Sequence, residues 1–400
     1  MEPSLMSQPV CGDSSEVLPL LALGVITHPN HVGHRKWLRA CHAPHSCSIT
    51  LRFVVGAGAS VADANQTDVL QLPAREALEF LKMGGAHAVA EKTLAWFVHA
   101  VTIWPMVPFI GKIDDDTMVG LPVLLRDLAA LRYHSFVLYG YAHWGAFRPQ
   151  VNTCFSNDTV IFPHGPHRYG PYPFLVGQLE VLSGSLATKV YNSAAVRRWQ
   201  HVMLAQDPPC WTWEDGGLGH LVHRTVMEHH LPVSLVSLAP DRNAYQQAFG
   251  TGGRLDPNAV SVHKVNHPGN YKLKRPQLER AVQADAARAT DADRIACWPC
   301  STPPISWDCC AEPEHPRPWQ LWRCCVKTDV NRSDDKTQLW GFWKTARNEW
   351  SQLNTFKRQA ERYRRKGMED QGRATTGAMA GGELATRSRK GGKGNLKTKR

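Results

Sequence analysis

The chain alternates short, continuous apolar runs with stretches of helical spacing, and this alternation narrows its possible folds more than any other feature. Leu18 to Thr27 is one such run, closed by Pro29-Asn30, and Arg52-Phe-Val-Val-Gly56 repeats the pattern. Uninterrupted apolar runs of this length, bounded by turn residues, read as strands buried in a core. Between them, His34 to Cys41 carries helix formers, with Arg35 and Arg39 four residues apart and so on one helix face. Strand, helix and strand in this order begin a βαβ pattern, and the expected class is α/β.

The pattern continues. Asp68-Val-Leu-Gln-Leu72 is a short strand, Ala74 to Trp104 is largely helical as far as Pro105, and Phe109-Ile-Gly-Lys-Ile113 is a strand running straight into Asp114-Asp115-Asp116. Leu121 to Leu131 follows as an amphipathic helix. His143 to Pro173, rich in Gly, Pro, His and aromatic residues, reads as irregular loops of the kind that build binding sites. Leu175 to Ser183 is strand-like, Ala187 to Met203 is one helix, and Trp211 to Asp215 is a loop before a helix from Leu218 to His229. Leu231 to Leu238 and Ala259 to Val265 are late strands. Five segments are expected: a disordered leader (1–17), a catalytic domain (18–280), a Cys/Pro-rich extension (281–336), an amphipathic Trp-rich and basic helix (337–366), and a disordered basic tail (367–400).

The 400 residues, 43% of them hydrophobic, are enough for a full α/β core. The net charge of +11 is crowded into the end from Arg362 to Arg400, so it says little about the folded part. A solvated tail explains that charge, and binding of nucleic acid or anionic membrane is its alternative; no nucleic-acid partner is expected. No run approaches the roughly 20 apolar residues needed to cross a bilayer, so no transmembrane segment is expected in this chain. Eleven cysteines, six of them in Cys297-Trp-Pro-Cys300, Cys309-Cys310 and Cys324-Cys325, favour disulfides over zinc, because only one Cys-x-x-Cys is present. Disulfides imply an oxidising lumen, and Asn65-Gln-Thr67, Asn157-Asp-Thr159 and Asn331-Arg-Ser333 are glycan-acceptor triplets that fit it.

An acidic turn leaving a hydrophobic strand puts carboxylates at the carboxyl end of the sheet, where open α/β folds bind ligands. Hard divalent cations such as Mn²⁺ or Mg²⁺ take oxygen ligands and keep positions for phosphate, so Asp114 to Asp116 can join a metal to a diphosphate. A solvated turn capping the helix from Leu121 is the plainer alternative.

Several ordered segments resemble the β-1,3-galactosyltransferase and N-acetylglucosaminyltransferase family, to which Fringe-related enzymes belong. They are Arg35-Lys-Trp-Leu-Arg39, Phe53 to Gly56, Asp68-Val-Leu-Gln-Leu72, Lys92-Thr93, Phe109-x-x-Lys112-x-Asp114-Asp115-Asp116, Tyr172-Pro173 with Gly177 to Ser183, Glu214-Asp215-Gly-Gly-Leu-Gly219 and Val260-Ser-Val-His263. His42 stands where the family has Trp, and Glu180 where it has an aromatic residue. The resemblance implies a GT-A glycosyltransferase fold, a Rossmann-like sandwich, binding a UDP-sugar and inverting the anomeric carbon during transfer to a glycan or glycoprotein acceptor in the Golgi or secretory lumen. It implies Asp116, Asp114 and His263 as ligands of Mn²⁺ or Mg²⁺. It also implies Asp114 and Asp115 around the nucleotide sugar, Arg35 and Arg39 facing the nucleotide or bracing its loop, and Lys112 in support, neutralising the aspartates.

Inversion needs a base on the acceptor hydroxyl. Asp215 is the candidate and Glu214 the runner-up, with helix capping as the alternative for Asp215. Trp211, Trp213 and Tyr172 are the expected acceptor contacts, and Gly216-Gly217 are expected to let substrate approach the backbone. A glycan-binding protein that keeps the fold without turnover is the competing functional expectation, motivated by His42 and Glu180.

Overall fold

The computed structural model describes residues 18–76, 86–167, 169–207, 209, 212–238, 243–244, 260–263, 294–299 and 322–328, all within the compact unit Met1–Leu339. Its strands are β1 (Leu21–Ile26), β2 (Ile49–Gly56), β3 (Val69–Leu72), β4 (Phe109–Asp114), β5 (Met118–Val119), β6 (Val137–Phe147), β7 (Tyr169–Ser183), β8 (Val233–Ser237), β9 (Asn243–Ala244), β10 (Ser261–Val262), β11 (Arg294–Pro299) and β12 (Trp322–Thr328). Its helices are α1 (Val32–His42), α2 (Ala86–Ile103), α3 (Leu121–Leu131), α4 (Pro149–Asn152), α5 (Gly184–Tyr191), α6 (Ala194–Ala205) and α7 (Glu214–His229).

Among the described residues the main sheet runs β11-β12-β8-β6-β7-β4-β1-β2-β3, and a small sheet runs β5-β10-β9. β1 lies parallel to both β2 and β4, with Ile26 opposite Val54 and Asp114, and β2 is parallel to β3. Their carboxyl ends therefore share one edge, where the expected acidic turn emerges. β7 then pairs antiparallel with β4 and β6, setting Glu180 opposite Lys112.

Strand alternation splits β1 between two buried layers. Leu21, Leu23 and Val25 pack with Trp37 and Leu38 of α1 and Leu121, Leu124 and Leu128 of α3. Ala22 and Ile26 pack with Trp96, Phe97 and Ala100 of α2 and Leu186 of α5. Burying each large apolar side chain contributes about 1.5–3 kcal/mol, which is why β1 tolerates no polar position. Gly24 admits Trp96: a β-carbon there would lie 2.4 Å from its ring, while Trp96 Nε1 donates to Gly111 O at 2.8 Å.

Four expectations change. The segment His143 to Pro173 is not loop throughout, since β6 extends to Phe147 and β7 begins at Tyr169. Of the glycines in that segment, Gly145 falls at a register shift, between Gly145 and Phe147, where a bulge absorbs an extra residue. The single helix over Ala187 to Met203 is two, because Ser193 caps a new start by accepting from Val196 N at 3.2 Å. Ala74 to Glu76 precede any helix, and the first described helical residue after them is Ala86. Glu214 and Asp215 form the first turn of α7 rather than a loop.

Beyond residue 280, β12 pairs parallel with β8 and antiparallel with β11, so the expected extension contributes two strands to the main sheet. The expected leader (1–17), helix (337–366) and tail (367–400) lie outside the described residues.

Candidate active site

β4 delivers the acidic turn to the shared strand edge, and Asp115 N–H donates to Ile26 O at 3.1 Å, tying the turn to the end of β1. Successive carboxylates then face opposite ways. Asp116 Oδ1 is 3.0 Å and Asp114 Oδ2 3.7 Å from His263 Nε2. His263 follows β10, which is held beside the turn by pairing of Ser261 with Val119 and by Gly120 N–H donating to Val260 O at 2.9 Å. Ligand atoms of Asp114, Asp116 and His263 lie within 4.8 Å of one another. Two carboxylates and one imidazole, converging from separate strands, suit a hard-to-borderline divalent cation. Burial pushes the Asp114 carboxyl up to about 6 against the pull of Lys112.

Asp115 points the other way. It accepts from Thr27 Oγ1 at 2.6 Å and contacts His31 Nδ1 at 2.7 Å and His34 Nδ1 at 3.7 Å. Burial works against its charge, but these partners outweigh it and hold the carboxyl well below the usual range. His31 and His34 were not anticipated; their spacing of three across a helix start was the available signal.

A second group of carboxylates surrounds Lys112, which is fully buried. Its Nζ is 2.9 Å from Asp114 Oδ1, 3.0 Å from Glu214 Oε1 and 4.0 Å from Glu180 Oε1, and it donates to Gly177 O. Burial disfavours its charge, yet Asp114, Glu214, Glu180 and Asp215 outweigh that and keep the ammonium well above its ordinary value. Burial, then Glu214, pushes Asp215 up to about 7 despite Lys112. Burial likewise raises Glu180 well above the carboxylate range. Thr93 Oγ1 donates to Glu214 Oε1 at 2.5 Å, so the Lys92-Thr93 segment braces this cluster from α2. Gly177 makes the closeness possible: a β-carbon there would lie 2.6 Å from Asp215 Oδ1 and 2.8 Å from Lys112 Nζ.

Several of the expected site residues are engaged within the protein. Arg35 is fully buried, donating to His28 O at 2.7 Å and Pro29 O at 2.9 Å and pairing with Asp63 at 2.5 Å; it braces the loop after β1 and has no surface for a nucleotide. Arg39 pairs with Asp68 at 2.7 Å and Asp63 at 2.9 Å, and its guanidinium lies over Phe53. Hydrogen bonds from Arg35 hold Asp63 down to about 2. Lys112 is equally enclosed, among carboxylates.

Tyr172 is buried, its hydroxyl donating to Gly216 O at 2.7 Å, so it fastens β7 to α7 rather than meeting an acceptor. The space at Gly216 is filled by Trp213, with a β-carbon there only 2.3 Å from the indole, and a β-carbon at Gly217 would touch Trp199 at 3.0 Å. Those glycines admit tryptophans, not substrate. Trp213 is half-buried, edge-on to Phe174 with centroids 5.0 Å apart, while Trp211 lies outside the described residues.

A mixed α/β domain with its polar cluster at the carboxyl edge of parallel strands has that cluster where open α/β folds bind ligands. Residues 34–203 match the family model described as Galactosyltransferase. That match includes the acidic turn, Lys112 and Glu180 but stops before Glu214, Asp215 and His263. No curated protein matches the chain. Two solved structures are similar: a glycosyltransferase involved in the glycosylation of the major capsid of PBCV-1, at 10% identity over 67% of this chain and 100% of that one with a TM-score of 0.29, and the galactosyltransferase LgtC in complex with donor and acceptor sugar analogs, at 11% identity over 66% and 95% with a TM-score of 0.33.

Proposed function

We propose that this chain is an inverting, metal-dependent glycosyltransferase, a hexosyltransferase that moves galactose or N-acetylglucosamine from a UDP-sugar to a hydroxyl of a glycan or glycoprotein, in β-1,3 linkage. The observation that carries the reading is the convergence of Asp114, Asp116 and His263 at the strand edge, joined through Lys112 to the carboxylates of Glu214 and Asp215. Asp114, Asp116 and His263 would hold Mn²⁺ or Mg²⁺. A bound ion of this kind supplies positive charge to the leaving diphosphate.

Asp215 takes the proton of the acceptor hydroxyl as its oxygen bonds to the anomeric carbon and the bond from that carbon to the diphosphate oxygen breaks. A base with a pKa of about 7 suits proton transfer at neutral pH. Lys112 pairs with Glu214 and Asp114, and Gly177 holds the group close. Trp213 and the segment between β6 and β7 shape the acceptor side.

A secretory, oxidising compartment is the proposed location. Cys47 and Cys154, each in a disulfide bond, and the exposed Asn65 and Asn157 support it. No helix among the described residues is long and apolar enough to cross a membrane.

The test is turnover of UDP-galactose and UDP-N-acetylglucosamine by the purified full chain, with and without Mn²⁺, in the wild type and in Asp215→Asn. Loss of about 10²–10⁴-fold in kcat with Mn²⁺–UDP binding retained is expected. Unchanged turnover in Asp215→Asn removes the base assignment. Absence of turnover by the wild type, with glycan binding retained, favours a glycan-binding protein instead.

A further inference from the structure

The side of the acidic turn facing α1 has a donor set that the transfer reaction does not use. His31 is the N-cap of α1 and His34 lies in its first turn, so their spacing of three puts both rings on one face. Their Nδ1 atoms point at the two oxygens of one carboxylate, Asp115, at 2.7 and 3.7 Å. The ligand atoms of all three residues lie within 4.8 Å of one another. The imidazoles are tilted against each other at 49° with centroids 4.5 Å apart, and His28 stands beside His31 at 5.3 Å. Side chains of His31 and His34 are 43% and 25% exposed, which leaves the group open to entry from solvent.

The surroundings are built as the outer shell of a metal site is built. Thr27 Oγ1 donates to Asp115 Oδ2 at 2.6 Å and fixes the carboxylate. The loop carrying His28 and leading to His31 is anchored by the buried Arg35 on His28 O and Pro29 O. The helix start, the end of β1 and the turn after β4 thus hold the three side chains together without a ligand having to gather them.

Chemistry separates this group from its neighbour. Asp114, Asp116 and His263 offer two carboxylates and one imidazole, a set suited to Mn²⁺ or Mg²⁺. His31, His34 and Asp115 offer two imidazoles and one carboxylate, the composition that favours zinc and metals like it, with a fourth position for water. We propose that His31, His34 and Asp115 form a second cation site, for a zinc-class transition metal, on the opposite side of the acidic turn from Asp114, Asp116 and His263. The proposal does not depend on the sugar-transfer reading.

The experiment is equilibrium dialysis of the metal-stripped full chain against Zn²⁺ alone, repeated with Co²⁺ so that visible absorption reports coordination. Wild type is compared with the double variant His31→Gln/His34→Gln and with Asp116→Asn. The double variant is expected to bind one equivalent fewer than wild type and to lose the Co²⁺ absorption of the two-imidazole group, which Asp116→Asn retains even where it loses the equivalent bound at Asp114, Asp116 and His263. Equal zinc stoichiometry and affinity in wild type and double variant overturn the proposal. Should the double variant not fold, the unmodified chain decides. Saturating Zn²⁺ is expected to shield His31 and His34 from diethylpyrocarbonate, read by peptide mass spectrometry, and undiminished modification at both overturns the proposal.

Discussion

Replacing Lys112 by Met removes the cation at the centre of the carboxylate cluster while keeping most of the side-chain volume. Asp114 and Glu214 then lose a partner at 2.9 and 3.0 Å. At an effective dielectric constant of about 20, one such pair at ~3 Å is worth about 5–6 kcal/mol of attraction before the cost of burying the ammonium is subtracted. Breaking a buried pair by deleting one member typically costs about 3–5 kcal/mol, because the other charge stays enclosed and uncompensated. For domains of this size that corresponds to a melting temperature lower by roughly 6–20 °C.

The loss carries a pH signature. Asp114 and Asp215 are already raised to about 6 and about 7, and removing Lys112 raises both further. A carboxyl whose folded value lies above its unfolded one holds its proton more tightly when folded. Its penalty is therefore absent well below the unfolded value and grows as pH rises through the folded one. The stability gap between wild type and Lys112→Met should be widest near pH 8 and close progressively toward pH 5. Urea denaturation at both pH values measures it. A variant as stable as wild type at pH 8, or a gap that does not change with pH, would refute the buried-cation account.

Because Asp215 must be unprotonated to act as a base, kcat/KM should rise with pH along a limb with its midpoint at about 7; a midpoint in the ordinary carboxylate range near 4 would exclude Asp215. Gly177→Ala drives a methyl group to within 2.6 Å of Asp215 Oδ1 and 2.8 Å of Lys112 Nζ. A displacement of about 1 Å in such groups lowers turnover by about 10²-fold, and the overpacking lowers stability by about 1–3 kcal/mol. Steady-state rates and a denaturation curve check both, and wild-type values in each would show that the cluster has slack. Asp116→Asn and His263→Gln should each raise the Mn²⁺ concentration for half-maximal activity by at least about tenfold, and an unshifted titration for either removes that residue from the metal set.

The strands at the centre of the sheet were legible from sequence because burial on both faces forces an unbroken apolar run, as in Leu21 to Ile26 and Phe109 to Ile113. The acidic turn was legible for the same reason: three aspartates directly after such a run have only the strand edge to occupy. β6 and β7 were not legible in full. Their glycines and prolines mimic loop composition, and only pairing with partner strands makes a ladder of them, with register shifts after Gly140 and Gly145.

Side-chain roles divide along the same line. Arg35, Tyr172 and Gly216 carry residue types that suit ligand contact, and nothing local distinguishes a guanidinium facing phosphate from one sealed against Asp63 and two carbonyls. Glu180 reads as a departure from a family pattern, but in the fold it lies across the strand pair from Lys112. His31 and His34 meet Asp115 over more than eighty residues of chain. By itself the sequence determined the α/β class, the core strands and the position of the acidic turn, because strand periodicity and burial are local properties. Tertiary structure decided which way each aspartate faces, which cation balances Glu214 and Asp114, and which expected contacts are braces. Those outcomes depend on distances between segments far apart in the chain, and only packing of the sheet sets them.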